Sequence, residues 1–196
     1  MTREEEESKE ATEVGALRKS LVELKARLDF PSEVARRLEE SGALFESTLH
    51  QRDVYFLRVQ GRLKLRIQRP GRDQLVWYDR PDVADTKESQ IVLTALPPGH
   101  GLEPVLSSAL GVRVVVSKVR RVFAWRGTRV HLDEVEGLGA YLEFERTLPH
   151  GALATPAHSE LRAMMAELGI PRDALQSGSY SDLLHPGPST QAPQSD

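Results

Sequence analysis

Leu21-Val22-Glu23-Leu24-Lys25-Ala26-Arg27-Leu28 alternates without a break. Val22, Leu24, Ala26 and Leu28 fall on one side, and Leu21, Glu23, Lys25 and Arg27 on the other. A period of two marks a strand, whose successive side chains point to opposite faces. The unusual part is the charge on one face, a carboxylate and two cations at strict spacing. The arrangement returns in Arg62, Lys64 and Arg66, in Arg129, His131 and Asp133, and in Glu143 and Glu145. Such faces are either solvated surface laced with cross-strand ion pairs or the lining of a closed barrel. In the second case the apolar faces turn outward, and the interior is basic enough for polyphosphate and acidic enough for its metal.

The rest of the chain supplies the parts for closure. Pro31 opens a helical stretch, PSEVARRLEESG, which Gly42 stops. Leu44 to Phe56 reads as extended, and Gly61 turns the chain into the strand Arg62 to Arg69. Pro70-Gly71 is a turn. Gln74 to Arg80 and Glu88 to Thr94 read as strands, and Leu102 to Leu110 as a short helix ended by Gly111. Val112 to Trp125 is the longest strand, with a hairpin turn at Arg126-Gly127 into Thr128 to Val135. Ala140 to Thr147 is the last strand. Pro156 to Leu168 is an amphipathic helix, and Pro171 starts one more helical turn. The expected fold class is α+β, with about eight antiparallel strands. Closure into a barrel would remove their exposed edges, and the helices would pack outside.

Composition narrows the function. The chain has 196 residues, 39% hydrophobic and 28% charged, enough for one domain with its own core. The net charge of −3 gives no global basic field for a nucleic acid polymer. With no cysteine, disulfides and thiolate metal sites are excluded. No apolar run approaches the length of a membrane span and no leader segment is evident, so the expected location is the cytoplasm with no membrane partner. Residues 1–19 read as an acidic disordered tail, 20–184 as the ordered domain, and 185–196 as a Pro/Ser/Gln-rich disordered tail.

The chemistry lies in four groups of residues. Glu23 and Lys25 pair a carboxylate with a cation, as a metal-bound polyphosphate requires. Arg62, Lys64 and Arg66 form a ladder of like charges, which repel unless an anion or carboxylates lie opposite. Lys118 and Arg120 share a face of the long strand. Glu143 and Glu145, with Asp133 on the neighbouring strand, form a candidate hard-cation site. His131 reads as a structural, hydrogen-bonding histidine. Trp77, Phe123 and Trp125 read as core or barrel covering, with base stacking as the alternative. No Ser-His-Asp arrangement, zinc spacing or glycine-rich phosphate loop is present.

In order along the chain, these motifs resemble the CYTH family, the triphosphate tunnel enzymes. That family includes class IV adenylate cyclases, thiamine triphosphatases and inorganic tripolyphosphatases. Leu21-Val22-Glu23-Leu24-Lys25 stands at the family's ExExK. Gln51 to Phe56, Gly61 to Arg66, Tyr78 to Asp82 and Lys118-Val119-Arg120 follow. Arg129 to Asp133, Val135 to Gly139, Leu142 to Glu145 and Ser179 to Leu184 complete the run. The resemblance implies an eight-stranded tunnel, with Glu23, Glu143 and Glu145 holding Mg²⁺ or Mn²⁺ and Asp133 as a further ligand or supporting group. It also implies that Lys25, Lys64, Arg66, Arg80, Lys118 and Arg120 grip a small-molecule triphosphate, with Arg129 a weaker candidate. Glu143, Glu145, Asp133 and Lys25 would be the catalytic set. The implied activity is hydrolysis of a phosphoanhydride bond. Alternatives are cyclisation of ATP to cyclic AMP and pyrophosphate, and binding without turnover. The chain departs from the pattern at two places: Leu21 replaces the first carboxylate of ExExK, and Tyr78 stands near a common lysine.

Overall fold

The structure, a computed structural model, describes residues 15–57 and 59–186. Most of the two expected tails lies outside the described residues. The chain runs β1 (Leu17–Leu28), α1 (Pro31–Glu40), β2 (Leu44–Phe56), β3 (Arg62–Arg69), β4 (Gln74–Asp79) and β5 (Lys87–Ala95). It continues with α2 (Leu102–Leu110), β6 (Val112–Trp125), β7 (Thr128–Val135), β8 (Gly139–Leu148) and α3 (Thr155–Glu167). A 3₁₀ turn (Arg172–Ala174) and a short helix, α4 (Tyr180–Leu184), follow. The alternation in the sequence opens β1 at Ser20, but the strand begins at Leu17. There its backbone already pairs with β5, Leu17 opposite Leu93 and Lys19 opposite Ile91.

The eight strands form one closed antiparallel barrel in the order β1-β5-β4-β3-β2-β6-β7-β8, and β8 returns to β1. The expected fold class is therefore the observed one. In closing this barrel, Arg126 and Gly127 at the β6–β7 hairpin both take positive φ, 49° and 71°. This is the backbone that a tight two-residue hairpin demands.

The main apolar core lies outside the barrel. Val22, Leu24, Leu142 and Phe144 on the outward faces of β1 and β8 are fully buried. Val34, Ala35 and Leu38 of α1 and Leu161, Met164 and Met165 of α3 cover them. Phe123 and Trp125 belong to the same core, which settles them as covering residues. On the opposite wall Leu102, Leu106 and Leu110 of α2, spaced four apart, cover Val54, Phe56 and Leu65. Full burial of each such side chain contributes about 1.5–3 kcal/mol, so the outer shell fixes the inward aim of the charged faces. Arg37 of α1 donates to the Leu168 carbonyl at 2.8 Å, tying the two covering helices together.

Candidate active site: a charged tunnel closed at one end

The inward faces enclose a cavity of about 300 Å³. Lys25, Lys64, Arg66, Arg80, Lys118 and Arg120 line it, together with Glu23, Glu143 and Glu145. A larger groove of about 710 Å³ crosses the outside of β2, β6 and β7. That groove carries Arg52, Arg69, Lys118, Glu134 and Glu136 but none of Glu23, Glu143 and Glu145, so the metal-type donors meet the cations in the tunnel alone among the described residues.

The repulsion within the basic ladder is resolved by one residue, Asp53 of β2. Its side chain is fully buried and stands directly opposite Arg66 across β2 and β3. Arg66 donates Nε and a terminal nitrogen to the two Asp53 oxygens, both at 2.8 Å. Lys64 Nζ donates to Asp53 at 3.0 Å, and Lys118 Nζ lies 3.8 Å away. Burial alone would raise the Asp53 pKa; the Arg66 and Lys64 charges reverse that and hold it well below the carboxylate range. Asp53 is shared among three cations, of which Lys118 also lies 3.7 Å from Asp133. Burial, and then the neighbouring Arg66, pushes Lys64 down to about 7. Burial and Arg120 push Lys118 down to about 8.

The acidic wall is built by β8 against β1 and β7. In register, Lys25 stands opposite Glu143 and Glu23 opposite Glu145. Lys25 Nζ lies 2.9 Å from Glu143 Oε1. Arg120 forks onto Asp133 at 2.7 and 2.6 Å and also contacts Glu143 Oε2. Burial raises the Glu143 pKa, but Lys25 and Arg120 outweigh it and leave the carboxyl well below its usual range. Glu23 is instead raised, because burial outweighs its contact with Arg80 Nε at 3.0 Å. His131 is 3% exposed, and its Nδ1 makes no hydrogen bond. At Nδ1 the hydrogen bond expected of a structural histidine is not made. One ligand atom each from His131, Glu143 and Glu145 lie within 4.8 Å of one another. Two carboxylates and a buried imidazole whose Nδ1 has no partner form a donor set that fits a divalent cation.

The far end of the barrel is stoppered by α4. Ser179, Tyr180 and Ser181 are buried. The Tyr180 hydroxyl donates to Asp133 at 2.9 Å, and Lys25 Nζ sits 3.7 Å over its ring. Ser179 and Asp182 form a reciprocal capping box that starts the helix. Arg62 and Arg113 reach Asp182 at 2.9 and 3.0 Å and clamp the stopper to β3 and β6. Lys87, 1% exposed, donates to the carbonyls of Val83, Gln176 and Ser177 and holds the approach to α4.

The tunnel therefore brings together nearly all the residues expected from the sequence, at differing depths. Asp133 sits behind Arg120, outside the three-atom donor cluster, and acts on the cavity through that arginine. Glu23 borders the cluster through Glu145. Arg129 shares the inward parity of its strand but stands at the rim, its side chain 60% exposed and 3.7 Å from Glu46. Leu21 is fully buried between Ser89 and Thr147 and offers no donor. Asp53, Tyr180 and Lys87 had no assigned role in the sequence reading. A clue to Asp53 was present, since the ladder required an opposing carboxylate. The Ser-x-x-Asp spacing announced the cap of α4.

The comparisons with known proteins agree with this geometry. The CYTH domain family model matches residues 20–180. The chain belongs to the CYTH family. This CYTH chain is 23% identical over 169 residues to a protein from Methanocaldococcus jannaschii named as a candidate adenylate cyclase, covering 83% of this chain and 97% of that one. A solved Pyrococcus horikoshii protein superposes with a TM-score of 0.72 at 22% identity, covering 83% of this chain and 98% of its own. A Hippeastrum candidate adenylyl cyclase, described as having a dominant triphosphatase activity, matches with a TM-score of 0.58 at 19% identity. That match covers 84% of this CYTH chain and 93% of the plant protein. At these identities the structural likenesses show the fold. Among the described residues no helix is long and apolar enough to cross a membrane.

Proposed function

We propose that this tunnel binds the triphosphate of a small molecule and hydrolyses a phosphoanhydride bond. The observation that carries the reading is the buried excess of cations over carboxylates in a cavity of about 300 Å³. Burial and like charge depress Lys64 and Lys118, so the tunnel's own carboxylates do not fully offset its cations. A polyanion with several oxygens relieves that repulsion, and a neutral ligand does not.

In this reading Lys64, Arg66 and Lys118 neutralise phosphate oxygens along one wall. Lys25 and Arg120 do so beside Glu143 on the other. Water attacks the terminal phosphorus, the bond to the bridging oxygen breaks, and the diphosphate part leaves with the electron pair. The fixed guanidiniums of Arg66 and Arg120, each forked onto a buried aspartate, are oriented before the substrate arrives and need no reorganisation as charge shifts. Glu143 and Glu145, with Glu23 beside them, would hold a divalent cation, which when bound supplies charge neutralisation at the phosphate oxygens.

Cyclisation of ATP is the competing reading, and it needs a seat for adenine. Trp77, Phe123 and Trp125 do not line the cavity, and its aromatic residues, Tyr55, Tyr78 and Tyr180, stand toward the stoppered end. This supports hydrolysis, as does the triphosphatase activity ascribed to the Hippeastrum relative. Phosphorus NMR of the protein with tripolyphosphate or ATP and Mg²⁺, Mn²⁺ or Co²⁺ tests it. Orthophosphate release, reduced about 100-fold or more in Glu143→Gln, is expected. Pyrophosphate with cyclic AMP would replace hydrolysis by cyclisation. Binding with no turnover would make the tunnel a receptor.

A further inference from the structure

We infer that His131 is a metal ligand beside Glu143 and Glu145, so that the tunnel takes an imidazole-binding divalent ion such as Co²⁺ or Zn²⁺ in preference to Mg²⁺. The inference rests on the reading of the tunnel as a metal-assisted polyphosphate site.

Leu21 is two residues before Glu23, on the same face of β1, fully buried, and offers no donor. On β7, the neighbour of β8, His131 stands directly opposite Glu143. Its Nδ1 lies 3.8 Å from Glu143 Oε2 and 3.7 Å from Glu145 Oε1. Both separations exceed hydrogen-bond length, which leaves a buried nitrogen with no partner. A cation with ligands at about 2.1 Å keeps adjacent donors about 3–3.5 Å apart, so the two His131 contacts need to close by only a few tenths of an ångström, and all three donor atoms lie within 4.8 Å of one another. Glu143 is already held by Lys25 and Arg120. Among the described residues Glu145 has no basic partner within 4.0 Å except His131. His131 and Glu145 are thus the donors with free capacity.

The donor type sets the selectivity. Mg²⁺ demands hard oxygen ligands and dehydrates reluctantly. Imidazole suits zinc and the later first-row ions. A donor set of two carboxylates and His131 carries one negative charge fewer than three carboxylates, which disfavours Mg²⁺, and adds a nitrogen that favours Co²⁺ or Zn²⁺.

The test is metal binding by the full chain, with Co²⁺, Zn²⁺ or Mg²⁺ alone as probe. Calorimetry should show Co²⁺ affinity falling about tenfold or more in His131→Gln, while Mg²⁺ affinity changes by less than about threefold. His131→Asp, which returns an oxygen donor, should raise Mg²⁺ affinity. Nitrogen NMR of the unmodified protein guards against misfolded variants: Zn²⁺ should shift the Nδ1 resonance of one histidine to a metal-bound position. Co²⁺ binding that is lost in Glu143→Gln but unchanged in His131→Gln would overturn the role of His131 and leave the tunnel reading intact. Failure of all three ions to bind, with or without tripolyphosphate, would overturn both.

Discussion

Replacing Asp53 with Asn keeps the shape of the side chain and removes the one carboxylate shared by Lys64, Arg66 and Lys118. Asp53 is fully buried, so water does not take over its role. Breaking a buried ion pair from one side costs about 3–5 kcal/mol, a large part of the roughly 5–15 kcal/mol that holds a domain folded. The loss depends on pH. The Asp53 pKa is depressed on folding, so its contribution is present above the unfolded value and lost only as pH falls through the folded one. At pH 6 it is fully present. Lys64 is also depressed, to about 7 from 10.5. The native state sheds that proton first, so stability rises with pH between those values. Without Asp53 the Lys64 pKa falls further, and the variant escapes the repulsion sooner. The expected cost is about 3 kcal/mol at pH 6 and clearly less at pH 9. Urea unfolding at both values, with the slope checked for constancy, measures it. A variant within about 0.5 kcal/mol of the parent at pH 6, or a gap that does not narrow by pH 9, would refute the argument.

Three further outcomes follow from the same geometry. Tripolyphosphate affinity, followed by calorimetry, should fall as pH rises above 7 because Lys64 loses its proton there; Lys64→Arg should flatten the profile, and parallel curves would remove Lys64 from the binding wall. Arg129→Ala should change KM by less than about threefold, since its side chain is largely exposed at the rim; a tenfold rise would place it in the grip on substrate. Tyr180→Phe deletes the hydroxyl bond to Asp133 and should lower stability by about 1 kcal/mol in urea unfolding; no change would mean the stopper is held by packing alone.

The strands were legible because alternation is a local property, written in residues two apart. Both the barrel and the inward charge followed from it, and the boundaries of β3, β6 and β7 match the sequence reading residue for residue. The part that was hidden depends on neighbours distant in sequence. In β2 the register shifts between Phe45 and Ser47 and again at Phe56. Parity alone could not tell that Asp53 faces inward while Arg52 turns out to Glu103. The partners of Lys87 are backbone carbonyls as far away as Ser177, and carbonyls leave no trace in sequence. The state of His131 was hidden for a related reason: its Nδ1 is defined by a hydrogen bond that it does not make. Arg129 shows that parity gives the direction of a side chain but not its depth along the tunnel.

The stopper formed by α4 has a kinetic consequence. A tube open at both ends passes its contents through, whereas a blind one has a single doorway for arrival and departure. Whatever part of a ligand reaches Tyr180 entered first and leaves last. Only the leading end of a long chain needs to fit, and its remainder can hang outside without penalty. If the tunnel hydrolyses its ligand, the innermost product would retrace the path past Lys118 and Arg120 before another molecule could follow. Emptying would then pace the cycle, and added orthophosphate is expected to compete with the next arrival.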